Sequence, residues 1–322
     1  MKRFKNILLV ADDGSWQETA LQRALSLAEH NQADLTIIHP FNFPGDSGLS
    51  EDPVYVRLKD TLLEERQKQL DKVIKNDRAG VDVKTRVIEG RVFIEVIREV
   101  LRNGHDLVMK TAEENSTLQD RIFGGTDMHL LRKCPCPVWI MKPSERTQYQ
   151  RILAAVDVGH GKDGDRINSL NRQILELASS LAISEFSEFH IVHAWTAWGE
   201  GLLNTPRFNF TENAELAAWL EQQKTADETK IQTLMKELTR TLSQETMGYL
   251  KPQVHIIKGE AHKIIPNLAL EKKVDLVVMG TVGRTGIPGL IMGNTAESIL
   301  NNIGCSVLAV KPPGFVSPVT LG

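Results

Sequence analysis

Short apolar runs alternate with amphipathic stretches along the whole of the 322-residue chain. The stretches between the runs repeat their apolar positions at helical spacing, as in Thr19–His30, Tyr55–Asn76 and Phe93–Asn103. Near-continuous apolar strands joined by helices predict an α/β, doubly wound fold with parallel sheets covered on both faces. The predicted strands are Ile7–Ala11, Leu35–His39, Val83–Ile88, Leu107–Met109 and Val138–Met141, then Ile152–Val156, His190–Ala194, Val254–Ile257, Leu276–Met279 and Val307–Val310.

The second half of the chain repeats the first. From Gly90 to Pro143, an offset of 169 residues relates the two halves without a gap. It pairs Gly90 with Gly259, Gly124 with Gly293, Cys136 with Cys305 and Pro143 with Pro312. Near the front the offset is 145, so residues were gained in between. A repeat of this length is a domain and not a solenoid unit. The sequence therefore predicts two tandem domains, residues 1–143 and 149–322, joined by the polar link 144–148.

The two halves end in equivalent apolar strands, Val138–Lys142 and Val307–Lys311. An edge strand has unpaired N–H and C=O groups that seek a partner. We expect these strands to pair within the chain about a pseudo-twofold axis, which makes the protein an internal pseudo-dimer. The sequence leaves open whether the protein also forms a higher oligomer.

Composition and charge limit the function classes. Hydrophobic residues make up 41% of the chain and charged residues 25%, as in ordinary soluble globular proteins. No apolar stretch approaches the roughly 18 residues of a membrane span, and Met1–Lys5 leads into the first strand without a signal-peptide core, so we expect a cytoplasmic protein. The net charge of −3 provides no basis for direct nucleic-acid binding.

Histidines and cysteines point to no metal or redox site. His39 and His193 occupy equivalent places without a Cys or carboxylate at zinc spacing, so we predict no metal. The segment Cys134–Cys136 lacks the Cys-x-x-Cys spacing, and Cys136 and Cys305 both lead into a final strand. We interpret the thiols as core residues in a reducing compartment.

A glycine-rich segment in the second half is the main candidate for a binding site. Gly280 and Gly283 follow a buried strand, and Gly293 precedes a helix. Glycines let the backbone approach a ligand closely, and the N–H groups of a helix start favour an anion. Ligands of parallel sheets bind beyond the carboxyl ends of the strands, so Asp157 and Ala194 should converge with Gly280. Asp157 is either a hydrogen-bond acceptor for the ligand or a turn residue.

These residues resemble the universal stress protein family in its tandem-domain form. The resemblance rests on the strand that ends in Asp157, on His193, and on Gly280-x2-Gly283-x9-Gly293, and it covers nearly the whole chain. It implies an adenine nucleotide alpha hydrolase-like fold, and nucleotide-binding family members hold ATP with this glycine motif.

Position by position, the resemblance implies a small-molecule site in the second domain, with ATP or AMP as candidate cofactor. Asp157 would face the ribose and adenine, and Ala194 would offer its backbone to the adenine. The ribose and phosphates would meet Gly280, Gly283, Gly293, Asn294 and the adjoining Thr295. Arg284 either approaches this site or is a solvated surface charge.

The sequence departs from the family motif at Asn294, where Ser or Thr is usual. Asn294–Glu297 also has the pattern of a helix cap with Glu at the third helical position, which would occupy the Asn294 side chain. The first copy departs further, because Thr111 and Glu114 stand where Gly280 and Gly283 stand in the second. We therefore expect a degenerate, structural first domain.

The sequence favours a non-enzymatic stress-response binding protein, because no nucleophile elbow or phosphate-loop lysine is present. Two alternatives stay open. One is slow ATP hydrolysis. The other is an apolar or lipid-like ligand held under the loop 195–210, whose aromatic residues include Trp195, Trp198, Phe208 and Phe210.

Overall fold

The computed structural model describes residues 4–11, 18–41, 52–77, 81–113, 123–143, 148–158, 164–197, 214–282 and 292–321. These residues form two compact units. The N-terminal unit contains the described elements before residue 149 and also the strand at residues 306–310. The C-terminal unit contains the elements between Tyr149 and Cys305.

Among the described residues, the N-terminal unit has five parallel strands and one antiparallel strand in the order β3-β2-β1-β4-β5-β10. Its elements are β1 (Asn6–Val10), α1 (Glu18–Asn31), β2 (Asp34–Phe41), α2 (Pro53–Asp77), β3 (Val83–Glu89), α3 (Val92–Asn103), β4 (Leu107–Thr111), α4 (Gly125–Lys133), β5 (Val138–Met141) and β10 (Ser306–Val310).

Local sequence explains how these elements form and end. Every residue of β4 is buried, as a central strand between two helical layers requires. Helix α3 buries an apolar stripe that includes Val96, Ile97 and Val100. It ends at Gly104, which has a left-handed φ of 67° and donates its N–H to the Val100 carbonyl at 2.9 Å. A glycine adopts this conformation without steric cost, so it terminates the helix.

The C-terminal unit repeats the doubly wound arrangement with the strand order β9-β6-β7-β8, all parallel. Its described elements are β6 (Arg151–Ala155), α5 (Gly164–Ser184), β7 (Glu188–Trp195), α6 (Ala214–Leu242), α7 (Gln244–Leu250), β8 (Gln253–Lys258), α8 (Ala261–Glu271), β9 (Leu276–Gly280) and α9 (Asn294–Asn302). The predicted fold class is confirmed, and each predicted strand is present within two residues at either end.

The final strands of the two copies pair as the sequence predicts. Strand β10 runs antiparallel to β5 within the N-terminal unit, with Leu308 opposite Trp139. All residues of both strands are buried. The edge of β5 is therefore covered by a strand of the same chain. The predicted link 144–148 lies mostly outside the described residues, and the domain limits 1–143 and 149–322 stay a prediction.

The sequence predicted no bounds for helices α6 and α7, which lie between β7 and β8 as α2 lies between β2 and β3. Helix α6 nevertheless carries a helical signal, because its buried residues Ile231, Leu234 and Leu238 recur every three or four positions. Within the described part of the chain, no helix is long and apolar enough to cross a membrane.

Two histidines pack against each other on neighbouring strands of the C-terminal unit. His190 in β7 is 2% exposed, and its Nδ1 lies 3.1 Å from Nε2 of His255 in β8. Burial lowers the pKa of both imidazoles. The positive charge that His255 would carry lowers the pKa of His190 further. The folded unit therefore disfavours the charged form of both rings.

This pair makes stability depend on pH. Unfolded histidine takes up a proton near pH 6.5, whereas the folded pair resists it. The stabilisation is therefore complete above about pH 6.5 and is lost as the pH falls below that value. We expect the urea concentration at the midpoint of unfolding to fall between pH 7 and pH 5. The fall should be smaller in His255→Gln, which keeps a hydrogen-bonding group beside His190. An equal drop in both proteins would contradict this assignment.

Candidate functional site

The carboxyl ends of β6, β7 and β9 lie side by side at one edge of the C-terminal sheet. Ala155 of β6 pairs with Val192 of β7 and with the last-but-one residue of β9. Asp157, Ala194 and Gly280 lie one or two residues beyond this row. The direction of strand addition changes between β6 and β9, which is where doubly wound folds bind ligands. The structure thus brings these three predicted residues together.

Asp157 is exposed, and its backbone is fixed by a side chain that the sequence analysis missed. Its N–H donates to Asn171 Oδ1 at 3.0 Å, and Asn171 Nδ2 donates to the Asp157 carbonyl at 2.8 Å. Asn171 lies in α5 and is 2% exposed. A single amide on the buried face of a helix, beside Leu170 and Ile174, is the signal that could have identified it.

Gly280 is half-buried at the end of β9. A Cβ at this position would come within 2.7 Å of Leu170 Cδ2 on α5. The glycine therefore suits the packing of α5 on the sheet as well as the close approach of a ligand. Because Leu170 precedes Asn171, one segment of α5 positions both the turn after β6 and the end of β9.

Helix α9 begins at the same edge. Gly293 donates its N–H to the Thr281 carbonyl at 3.1 Å, and Val282 forms an antiparallel bridge with Met292. Thr281 directly follows β9 and is completely buried. These contacts hold the first turn of α9 beside the strand end.

The predicted helix cap at Asn294 is wrong. Gly293 is the N-cap residue, with φ −64° and ψ 138°, and as a glycine it has no side chain with which to cap the helix. Asn294 is the first helical residue, so Glu297 falls at the fourth position, where its N–H bonds to the Gly293 carbonyl at 2.9 Å. Asn294 and Thr295 are exposed. The first backbone N–H groups of a helix point along its axis beyond the N-terminal end, as anion binding requires.

Several predicted site residues lie outside the described residues. These are Gly283 and Arg284, and the loop residues Trp198, Phe208 and Phe210. Trp195 is described and buried, and its ring centroid lies 6.0 Å from Lys258 Nζ. Trp195 is thus part of β7 and packs within its own unit.

The two equivalent histidines differ in their surroundings. His193 Nδ1 lies 3.3 Å from the Val156 carbonyl, and its Nε2 lies 3.3 Å from Asp227 Oδ2 on α6. Asp227 also accepts a hydrogen bond from Lys230 at 2.9 Å. Both ring nitrogens of His193 therefore face oxygen acceptors. Asp227 continues the buried stripe of α6 toward the N-terminus, and this spacing is the signal by which the sequence could have identified it.

In the N-terminal unit, the partner of the equivalent histidine is a cation. His39 Nε2 lies 2.5 Å from Arg66 Nη1 on α2. A guanidinium only donates hydrogen bonds, so His39 accepts at Nε2.

Within the described residues, no group of three or more His, Cys, Asp or Glu side chains is arranged to hold a metal ion.

The N-terminal unit fills the equivalent of the candidate site with its own charges. Lys110 in β4 and Asp127 in α4 are 1% and 0% exposed, and Nζ lies 3.1 Å from Oδ1. The second oxygen, Oδ2, accepts the backbone N–H of Glu113 at 2.9 Å and of Gly124 at 3.2 Å. Gly124 is the N-cap of α4, so an internal carboxylate satisfies the amide at this helix start.

A second carboxylate lies over the same turn. A Cβ at Gly124 would collide with Glu113 Oε2, so this side chain covers the glycine. Glu113 directly precedes Glu114, which stands where Gly283 stands in the second copy and lies outside the described residues. Burial raises the pKa of Asp127, whereas the Lys110 charge and the Glu113 N–H lower it.

The second copy has no charge at the two equivalent buried positions. The offset of 169 residues relates Lys110 to Met279 and Asp127 to Ala296, and both of these apolar residues are buried. Because Ala296 has no carboxylate, the N–H of Gly293 bonds to a backbone carbonyl instead. The N-cap glycine of this helix is therefore buried beside acidic side chains in one copy and half-buried, with its N–H bonded to a carbonyl, in the other.

A model of the universal stress protein family matches residues 3–142 and again residues 148–311. The chain belongs to the universal stress protein family. Universal stress protein E of Escherichia coli strain K12 is 30% identical over 328 residues, which cover 100% of this chain and 98% of that protein. The universal stress protein E homolog of Haemophilus influenzae is 26% identical, covering 96% and 98% of the two chains.

Solved structures agree with the tandem architecture. A functionally unknown protein from Pseudomonas aeruginosa PAO1 has a TM-score of 0.65 at 27% identity, covering 96% of this chain and 93% of its own. A universal stress protein from Archaeoglobus fulgidus has a TM-score of 0.64 at 20% identity, covering 95% and 98%, and shares the fold. This universal stress protein therefore consists of two family domains.

The Lys110–Asp127 pair in the first universal stress protein domain should act as a unit. Removing one partner of a buried ion pair leaves an uncompensated charge, so Lys110→Met should destabilise the N-terminal unit by about 3–5 kcal/mol. The double variant Lys110→Met/Asp127→Ala, which copies Met279 and Ala296, should recover much of that loss. Denaturant unfolding followed by hydrogen exchange in β4 and α4 measures both.

The control is Lys68→Met, which removes an exposed lysine from α2 and should leave stability nearly unchanged. If the double variant is as unstable as the sum of the two single variants, the two side chains do not form the coupled pair described above.

Proposed function

We propose that the second universal stress protein domain binds a small ligand with a phosphate-like anionic group, and that ATP and AMP are its leading candidates. In this proposal the protein is a cytoplasmic, non-enzymatic binding protein of the stress response. The first domain is structural and binds no nucleotide.

The contrast between the two helix starts is the observation that carries this proposal. In the first domain, the Asp127 carboxylate, paired with Lys110, occupies the Gly124 amide, and the Glu113 carboxylate lies over the same turn. In the second domain, Ala296 replaces the buried carboxylate, and the exposed residues Asn294 and Thr295 begin α9. A phosphate group would be repelled by the first arrangement and attracted by the N–H groups of the second.

Other residues at this edge of the sheet offer groups for the ribose and the base of a nucleotide. The exposed residue Asp157 offers a carboxylate for the ribose hydroxyls, while Asn171 fixes the backbone around it. Gly280 offers a strand end without a side chain beside the same turn. Ala194 would contribute backbone near the base. Asn294 and Thr295 would hold the phosphates, and Gly293, whose N–H bonds to the Thr281 carbonyl, would let them approach the backbone closely.

The surroundings of His193 support the non-enzymatic part of the proposal. General base catalysis needs a nitrogen within reach of the substrate proton. Both His193 nitrogens instead face oxygens of Val156 and Asp227, and the residue is only 2% exposed. This histidine therefore links α6 to the end of β6 and has no nitrogen directed to a substrate.

Copying the Lys110–Asp127 ion pair into the second domain is the most direct test of the binding site. The variant Met279→Lys/Ala296→Asp copies Lys110 and Asp127 and should place a carboxylate under the Gly293 amide. Although the pair is neutral as a whole, its carboxylate would lie beside the phosphate and compete with it for the N–H groups of the helix start, so the affinity should fall by at least about tenfold. Titration calorimetry with ATP, ADP and AMP measures this, with saturable binding by the unaltered chain expected below millimolar concentration.

The matched control is Met279→Leu/Ala296→Ser, which alters the same positions without adding charge and should retain binding. Gly283→Glu, which copies Glu114, should also abolish it. If no adenine nucleotide binds the unaltered chain at millimolar concentration, the nucleotide part of the proposal is wrong. If the transplanted pair leaves binding intact, the ligand lies elsewhere.

Phosphate release separates this proposal from slow ATP hydrolysis. We expect the purified protein to release phosphate from ATP no faster than a matched Asp157→Ala preparation, because both nitrogens of His193, the histidine at these strand ends, already face protein oxygens. Turnover that is present in the unaltered protein and absent from Asp157→Ala would show that the protein is an enzyme.

A further inference from the structure

The segment Cys134-Pro135-Cys136, between α4 and β5, brings two thiols into contact. Their Sγ atoms are 3.6 Å apart, and both residues are buried. Cys134 ends α4 with φ −67° and ψ 133°, and its N–H donates to the Leu130 carbonyl at 3.0 Å. Pro135 has a fixed φ and bends the chain between the cysteines. The backbone thus holds the two sulfurs on the same side.

A buried lysine lies beside this pair. Lys311 follows β10, is 5% exposed, and donates from Nζ to the carbonyls of Leu131 and Arg132 at the end of α4. Burial lowers the pKa of Lys311 to about 8, while negative charge on the two sulfurs would raise it. An ammonium group in this position favours a thiolate.

The two thiols differ in acidity. Burial opposes the ionisation of Cys134, but the hydrogen bond from Cys136 and the Lys311 charge hold the pKa of its thiol below the ordinary value. The hydrogen bond to Cys134, together with burial, raises the pKa of Cys136 well above it. The pair therefore resembles a nucleophilic thiolate with a protonated thiol beside it.

Only the first copy has this pair. The offset of 169 residues relates Cys134 to Ile303 and Cys136 to Cys305. The second copy therefore packs the same turn with one sulfur and one apolar side chain. Since Ile303 serves this structural role, a second thiol is not needed for packing.

We propose that Cys134 and Cys136 are a redox pair that a peroxide converts to an intramolecular disulfide, with Lys311 as the residue that stabilises the reacting thiolate. The proposal changes the interpretation of these cysteines as inert core residues. It does not depend on ligand binding by the second domain.

The chemistry balances with a peroxide as the only oxidant. The Cys134 thiolate attacks one peroxide oxygen, the O–O bond breaks, and Cys134 becomes a sulfenic acid while hydroxide leaves. Cys136 then attacks that sulfur, forming the S–S bond and displacing the sulfenic oxygen as water. The sulfenic oxygen leaves as water with the Cys136 proton, and the proton that Cys134 lost on forming the thiolate neutralises the hydroxide. Two thiols lose two electrons, and hydrogen peroxide is reduced to two molecules of water. A dithiol reductant reverses the reaction by exchange.

Oxidation would change the surroundings of Lys311. The Sγ atoms would approach from 3.6 Å to about 2.05 Å, the length of an S–S bond. No ionisable sulfur would then face the buried ammonium group. The turn that joins α4 to β5 would tighten, so this segment is where oxidation would change the N-terminal unit.

Thiol counting on the intact full-length protein tests the proposal. The reduced chain should accept three alkyl groups after denaturation, one for each cysteine. After a few equivalents of hydrogen peroxide it should accept one, at Cys305, and peptide mapping should show a Cys134–Cys136 disulfide that dithiothreitol removes. Three alkyl groups after peroxide, a disulfide to Cys305, or sulfinic acid in place of a disulfide would each overturn the proposal.

Matched variants separate the redox pair from a structural role. Cys305→Ser should leave the reaction unchanged, whereas Cys134→Ile, which copies Ile303, should abolish disulfide formation. Lys311→Met should slow oxidation about tenfold at neutral pH and move its pH profile upward, and Lys311→Arg should restore the rate because it keeps the charge. If Lys311→Met fails to fold, the comparison of the unaltered chain with Cys305→Ser still decides the disulfide. Equal rates and pH profiles in folded Lys311→Met would overturn the role of Lys311.

Discussion

In each copy of the domain, the last helix starts at the sheet edge, where the N-cap amide has to find an acceptor. The N-terminal unit supplies the Asp127 carboxylate, and a buried carboxylate requires the neutralising charge of Lys110. The C-terminal unit supplies the Thr281 carbonyl, which requires no charge. This one difference places a carboxylate at the N-cap amide in one copy and a backbone carbonyl in the other.

The two solutions are not interchangeable one residue at a time. A lysine or aspartate left alone in either interior would be an uncompensated charge, which is far less stable than both the ion pair and the apolar pair. Lys110 and Asp127 therefore have to be gained or lost together, as Met279 and Ala296 show in the other copy. The duplicated halves of a universal stress protein can in this way diverge in function while the fold is retained.

The sequence was sufficient for the fold because its signals are local and repeated. Apolar runs define the strands within two residues, and the constant offset identifies the two copies. The side-chain contacts of the candidate site were harder to predict from the sequence. Asn171 could be identified as a lone amide on a buried helix face, but its bond to Asp157 and the pairing of Lys110 with Asp127 join different elements, so no spacing rule predicts those contacts. Asn294 was misassigned because Gly293 can itself be the N-cap, and local sequence does not distinguish the two starts.

The pairing of β5 with β10 has a consequence for synthesis on the ribosome. Strand β5 is complete once residue 141 has emerged, but its outer edge has no partner in the finished structure until residues 306–310 follow. Throughout that interval the N-terminal unit presents an apolar, unpaired strand, and such an edge is prone to join other chains. Translation speed and chaperone contact across the second half of the message therefore bear on the solubility of the first half of the protein.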